Sequence, residues 1–222
     1  MRTTPISPGD HYHIFNRSND KQDIFHDISD WFRFLFLVLH IQSTETIYNI
    51  GRYTNTGRFV EHRVFNINSD ILEEIIKNRT VELINFALMP NHFHLTVKEV
   101  AEGGISQYMQ RVLNAYTKYY NAKYNKFGHL FQGPYKIVHI EDNRQLLHLS
   151  AYIHRNPREL KKWRQKEDKY PWSSYQDYVF ENRWGNLLSQ NIISDQFESK
   201  HEYHNFVKTS TAKTLDTEFL TF

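Results

Sequence analysis

The chain predicts an α+β fold, a central antiparallel sheet with helices packed on it. Three observations carry this. Alternating β-type segments recur at His11–Arg17, Val81–Val97 and Tyr135–Ile140, where every second side chain faces the same way. Segments with helical spacing stand between and after them. Their order, roughly β-α-β-β(α)-β-α-β-α, suits one sheet covered by helices.

Each element has a local reason. In His11–Arg17, Tyr12, Ile14 and Asn16 share one side. Asp27 or Ser29 can cap a helix from about Asp30 to Gln42, with Trp31, Phe34, Leu35, Val38 and Leu39 at helical spacing. Residues 46–68 are expected to hold β-type segments around Gly51 and the turn Asn55-Thr56-Gly57. Ile71 to Asn78 predicts a short helix. Val81 to Val97 is strand-like with a kink or break at Met89-Pro90-Asn91. Pro90 cannot donate to a ladder, which favours an edge or a bulge. Gly103-Gly104 breaks the chain before a long helix from Ile105 to Tyr124. Gly128 and Gly133-Pro134 mark a loop ahead of the strand Tyr135–Ile140. Asn143 to Asn156 is a helix bounded by Pro157, because the residue before proline is pushed out of the α region. Residues 1–164 then form the main domain and 165–222 a C-terminal extension. Trp163, Trp172, Tyr175 and Tyr178 predict that the extension's first part packs. Its Thr-rich end, from about Lys208, is expected to be flexible.

Composition excludes several classes. With 222 residues and 40% hydrophobic content, one domain with a real core is expected. Cysteine is absent, so disulfides and thiolate metal sites are excluded and any metal must use His, carboxylate or amide ligands. No N-terminal signal pattern is visible. The most apolar run, Trp31 to Ile41, is too short to span a bilayer and contains Arg33 and His40. A cytoplasmic protein that makes no membrane contact is the expectation.

The formal net charge of +2 conceals an asymmetry. Between Ile105 and Arg164 stand 11 Lys/Arg and 3 Asp/Glu, a local net of +8. Such a third of the chain reads as an electrostatic footprint for a polyanion. The candidate contacts are Arg111, Lys118, Lys123, Lys126, Lys136, Arg155 and Arg158. Tyr108, Tyr116, Tyr119, Tyr120 and Tyr124 line the long helix, where bases could stack on aromatics. A core stripe explains about half of these tyrosines equally well.

The chemistry-bearing residues are few. In Met89-Pro90-Asn91-His92-Phe93-His94-Leu95, strand alternation points His92 and His94 the same way and Phe93 the other. Two adjacent imidazoles make half of a metal site. A structural role for the pair remains open on the residues alone. Tyr152 and Asn156 are four apart, on one helical face, with His148 a turn earlier. A phenol with a pKa near 10 is a poor nucleophile, but beside a metal-polarised phosphate it can attack phosphorus. Tyr152 as a core residue with its hydroxyl at the rim is the alternative. The loop Gly128-His129-Leu130-Phe131-Gln132-Gly133-Pro134-Tyr135-Lys136 is not a phosphate-cradling loop, though its glycines permit close backbone approach.

Together these motifs resemble the single-tyrosine HUH transposases of the insertion-sequence 200/605 type, especially the REP-associated tyrosine transposase branch. The resemblance spans roughly Tyr12 to Tyr178. It rests on Tyr12-His13-Ile14-Phe15-Asn16-Arg17, Met89–Leu95, the Gly128–Lys136 loop, Tyr152-Ile153-x-x-Asn156-Pro157 and Trp172-Ser173-Ser174-Tyr175. Pro134 departs from the Arg common there in relatives. The resemblance implies a ferredoxin-like, RRM-like HUH fold, with residues 1–164 as the catalytic domain. It implies His92 and His94 as metal ligands, Asn156 as the third, and Tyr152 as the nucleophile. Tyr116 and Tyr120 are competitors, but neither has a following Asn-Pro.

The activity so implied is cleavage and rejoining of single-stranded DNA beside hairpins through a 5′-phosphotyrosine, with Mg²⁺ or Mn²⁺. The implied partner is single-stranded DNA with palindromic elements, met at the bacterial nucleoid. A homodimer and a monomer are both expected states among relatives. A non-catalytic module binding hairpin DNA or RNA would need the basic third but not His92, His94 and Tyr152 together. A water-using metallohydrolase would not need Tyr152.

Overall fold

The computed structural model describes residues 5–54 and 64–211. Four strands form one antiparallel sheet: β1 His11–Arg17, β2 Val81–Met89, β3 His92–Glu99 and β4 Lys136–Ile140. Their order is β2-β3-β1-β4. Sequence neighbours β1 and β2 are therefore split by β3, and β3 and β4 by β1, the β-α-β-β-α-β arrangement of ferredoxin-like sheets. The α+β expectation is met.

The pairing register settles which residues share a face. Ile14 lies opposite Leu95, and Asn16 opposite Phe93. Leu88 lies opposite Phe93 on the other flank. This face is apolar and is covered by α1 (Ile28–His40) together with a later long helix. Phe93, Leu95 and Val97 are fully buried in it, and Phe34 of α1 meets Phe93 with ring centroids 5.3 Å apart. Helix α1 begins in a capping box: Asp27 accepts from the amides of Ser29 and Asp30, and Asp30 reaches back.

Two expectations are corrected here. The run Val81–Val97 is two strands, because Pro90 and Asn91 form a two-residue hairpin corner. Proline's fixed φ and missing N–H suit that corner better than a bulge. The corner is tied down: Ile24 donates to the Pro90 carbonyl and Ser18 to that of Asn91. Around Gly51, the expected β segment is instead a helical turn, α2 (Ile50–Tyr53). The outer edge of β2 is covered by residues 170–189. The turn Asn55-Thr56-Gly57 lies outside the described residues. Helix α3 follows at Ser69–Lys77.

Helix α4, Gly104–Tyr124, starts where the buried Glu99 carboxylate accepts from the amides of Gly104 and Ile105. Gly104 is required: a Cβ there would stand 2.3 Å from the Thr80 carbonyl oxygen. Its C-terminal turn is locked to α1 through Asp30. That fully buried carboxylate accepts from Lys123 at 2.7 Å, Tyr124 at 2.6 Å and Tyr119 at 3.0 Å. Burial would raise its pKa, but Lys123, Tyr124 and two backbone amides outweigh burial and hold it low.

The opposite face of the sheet carries α5, Asn143–Arg155, capped by Asp142. A 3₁₀ turn, Asn156–Glu159, follows. The extension then wraps β2 and α5. Leu88 donates to the Trp172 carbonyl and Ser174 to that of Phe86, and Tyr178 donates to the Ile84 carbonyl. An edge so covered offers no free ladder. Short helices α6 (Tyr175–Val179) and α7 (Asn191–Ser194) lead to α8, Lys200–Thr209. Helix α8 packs on α5, where His154 bonds Tyr203 at 2.6 Å and Ser174 at 2.9 Å. Most of the Thr-rich end, 212–222, lies outside the described residues. No helix among the described residues is long and apolar enough to cross a membrane.

Two predictions follow from this packing. Asp30→Ala should lower unfolding stability by roughly 3–5 kcal/mol in urea titration, because it strips a buried carboxylate from Lys123 and two phenols. His13, His40 and His154 are buried, and burial pushes their pKa values down to about 3, about 4 and about 3. The unfolded chain, with histidines near 6.5, binds more protons between these values. Stability should therefore fall as pH drops below about 6.5, by up to about 1.4 kcal/mol per pH unit for each histidine. Thermal melts of His154→Gln against pH should show a shallower slope than the parent.

Candidate active site

Strand alternation sends His92, His94 and Thr96 of β3 to the face under α5. Directly opposite them on β1 stand Arg17, Phe15 and His13. This row of paired residues, 4.5–5.5 Å between neighbouring Cα atoms in such ladders, is the floor of the site. His13, Phe15, His92 and His94 are all under a tenth exposed.

Tyr152 is the roof. It sits in the last turn of α5, half-buried, with its ring edge-on to His94 at 5.4 Å and to His13 at 6.2 Å between centroids. His92 and His94 are themselves edge-to-face at 5.3 Å. Ser150 and His154, two residues either side of Tyr152, project to the other side of the helix and bond Tyr203. The extension thus holds the helix from behind while Tyr152 faces the sheet.

Hydrogen bonds orient the two imidazoles. His92 Nδ1 lies 2.7 Å from Asn91 Oδ1. Since the amide oxygen can only accept, Nδ1 carries the proton and the ring lone pair lies on Nε2. His94 Nδ1 lies 2.9 Å from His13 Nε2. Burial keeps His13 neutral by lowering its pKa to about 3. A neutral His13 can accept from His94 Nδ1, which again leaves the lone pair on Nε2. His92 is set up as an Nε2 donor, and His94 is one in the tautomer in which its Nδ1 donates to His13, the arrangement of metal-binding histidines held by an outer partner.

The donor set fits a divalent cation only if an amide completes it. Among the described residues, no group of three or more His, Asp or Glu could hold a metal. Asn156 is buried at the C-cap of α5, and its Nδ2 donates to the Tyr152 carbonyl at 3.2 Å. This bond uses the nitrogen end and keeps Oδ1 as the possible ligand atom. The turn Asn156–Glu159 packs against β2, the strand beside β3.

The other expected site residues scatter. Arg111, Lys118 and Lys123 ride on α4, across the sheet from Tyr152. Arg111 donates to the carbonyls of Ser43 and Glu45, and Lys123 is engaged by Asp27 and Asp30. The tyrosines of α4 are used inside the fold: Tyr108 donates to the Val38 carbonyl, Tyr116 to that of Ile24, and Tyr120 meets His26. Arg158 pairs with Glu167 at 3.1 Å. Arg155 has Nε and Nη1 buried without a hydrogen-bond partner. His148 turns its ring toward Phe206 of α8. Lys126 and Lys136 are exposed, and the Lys136 ammonium lies 5.9 Å from the Phe15 ring centroid on the site face.

Two residues of the site carry no expected role in the sequence. His13 was legible in principle, since it alternates with Tyr12 and Ile14 onto the other side of β1. Arg17, exposed and opposite His92, follows from the same alternation. Neither could be paired with β3 until the register was known.

This face defines a class: a ferredoxin-like domain with a His-x-His pair on its central strand and a helix-borne tyrosine over it. The family model described as "Transposase IS200 like" matches residues 54–156, a span that holds His92, His94, Tyr152 and Asn156. The fold is shared with a REP-associated tyrosine transposase whose structure is bound to a REP hairpin. That likeness has a TM-score of 0.52 at 11% identity, over 81% of this chain and 84% of the other. No curated protein matches the chain. The resemblance to IS200-like transposases is borne out, over the matched span in sequence and over most of the chain in fold.

Proposed function

We propose that this chain nicks and rejoins single-stranded DNA beside hairpins, with Tyr152 as the nucleophile. The observation that carries the reading is the Tyr152 ring set against His94 and His13 across the gap between α5 and the sheet. The family match covers those residues except His13, and the fold neighbour was solved with a hairpin.

In this reading His92, His94 and Asn156 would hold a divalent ion, Mg²⁺ or Mn²⁺. When bound, the ion supplies Lewis-acid polarisation of a phosphate oxygen. Tyr152 Oη attacks phosphorus in line and its phenolic proton leaves to solvent. The phosphorus–O3′ bond breaks, and its electron pair goes to the 3′ oxygen, which takes a proton. A 5′-phosphotyrosine and a free 3′-hydroxyl result. Attack by a second 3′-hydroxyl reverses the step and restores the phenol, so strands rejoin without ATP. His13 acts as a positioning residue through His94. Arg17, opposite His92, and Lys136, over Phe15, contribute positive charge beside the reacting phosphate.

Tyr152→Phe should abolish the covalent protein–DNA adduct formed from labelled hairpin DNA with Mn²⁺, read on a denaturing gel, while hairpin binding persists. An adduct in that variant would refute the nucleophile assignment. Hairpin binding without any adduct in the parent protein would identify a binding module on this scaffold instead. His92→Ala should lose cleavage and keep most hairpin affinity. His13→Ala should weaken Mn²⁺ binding by roughly 10- to 100-fold, measured by calorimetry, because His94 loses the partner that fixes its tautomer.

A further inference from the structure

Phe127 is 91% exposed, more than any other large hydrophobic residue among those described. A lone exposed apolar side chain needs no explanation by itself. Phe127, however, stands at the tip of a turn that is fastened at both ends. Helix α4 ends with Asn125 in the left-handed region. The Lys126 amide donates to the Asn121 carbonyl at 3.0 Å. The Asn121 side chain then reaches across to the Gly128 carbonyl at 3.1 Å. Gly128, with φ of +85°, turns the chain away on the far side.

The turn is also fastened to the site end of the sheet. Asn19 donates from its side chain to the His129 carbonyl at 2.6 Å and from its backbone to that of Leu130 at 2.9 Å. Asn19 is two residues beyond Arg17, the β1 residue opposite His92. Phe127 thus stands two residues before a segment that is bonded to the chain just beyond β1, the strand whose Arg17 lies opposite His92. Its neighbourhood in sequence is purely cationic: from Ile105 to Ile140 there are five Lys/Arg and no Asp or Glu, with Lys126 exposed next to it.

An exposed aromatic on a fastened turn, next to a lysine, suits a base on a phosphate backbone. The ring offers a face for stacking and the lysine attracts the backbone, the two elements of single-strand recognition. An apolar protein partner would gain nothing from the exposed Lys126 ammonium beside the ring. We propose that Phe127 is a stacking platform for an unpaired base in the single-stranded flank of the DNA hairpin. The inference rests on the DNA-binding part of the proposed function and is independent of Tyr152 chemistry.

Because Phe127 touches so little of the protein, its replacement leaves the fold intact. The full chain and its Phe127→Ala and Phe127→Tyr variants are titrated into two oligonucleotides by fluorescence anisotropy. One is a hairpin with a short single-stranded flank carrying a fluorescent adenine analogue; the other is the same hairpin with no flank. Phe127→Ala should weaken binding to the flanked hairpin by roughly 5- to 100-fold, abolish quenching of the analogue, and leave the blunt hairpin unaffected. Phe127→Tyr should behave as the parent. Equal affinity of parent and Phe127→Ala for the flanked hairpin would overturn the stacking role while leaving DNA binding standing. Failure of the parent to bind either DNA would remove the DNA reading itself, and this inference with it. Self-association of the parent in sedimentation, lost in Phe127→Ala with DNA affinity unchanged, would assign the ring to a second copy and also overturn the proposal.

Discussion

The constraint on which the rest depends is the alternation of β3. Phe93, Leu95 and Val97 go to one face of the sheet and are fully buried. His92, His94 and Thr96 must then go to the other. A slip of one residue would drive two imidazoles into an aromatic core and expose three large hydrophobes. The register is therefore held strongly, and it is held from both flanks by β1 and β2. The hairpin corner at Pro90-Asn91, bonded to residues 18–24, fixes where the alternation starts.

The second layer of the site is held by parts of the chain remote from it. Helix α5 lies between the sheet and the extension. Its Tyr152 faces the histidines, while Ser150 and His154 are bonded to Tyr203 and Ser174 behind it. The extension also covers the outer edge of β2, so it serves the sheet and the tyrosine helix at once. The family match ends at residue 156, yet the groups that hold Tyr152 in place come from Ser174 and Tyr203.

Charge is distributed less simply than the sequence suggests. The basic third supplies cations to both sides of the sheet. On the α1–α4 side Arg111 and Lys123 are drawn into the fold, Lys123 because the buried Asp30 carboxylate is held ionised by it, by Tyr124 and by two backbone amides. On the site side, Lys136 stays exposed beside Phe15 and is joined by Arg17, which belongs to the first strand and not to the basic third. The footprint near the histidines is assembled from two distant segments.

The sequence by itself determined the elements governed by local periodicity. These include the β1 alternation, the cap of α1, the end of α5 before Pro157, the glycine break before α4, and the common direction of His92 and His94. It also placed Tyr152 and Asn156 on one helical face, since four residues make roughly one turn. It mistook the Pro90 corner for an interruption within one strand, and α2 for β structure. In both, pairing partners decide, and these lie far along the chain. Only the tertiary structure decided that His13 is bonded to His94, that Asp30 claims Lys123, and that residues 170–207 hold the tyrosine helix. Each of those contacts joins groups 20 to 93 residues apart. Local spacing carries no information about such pairs; strand order and register create them.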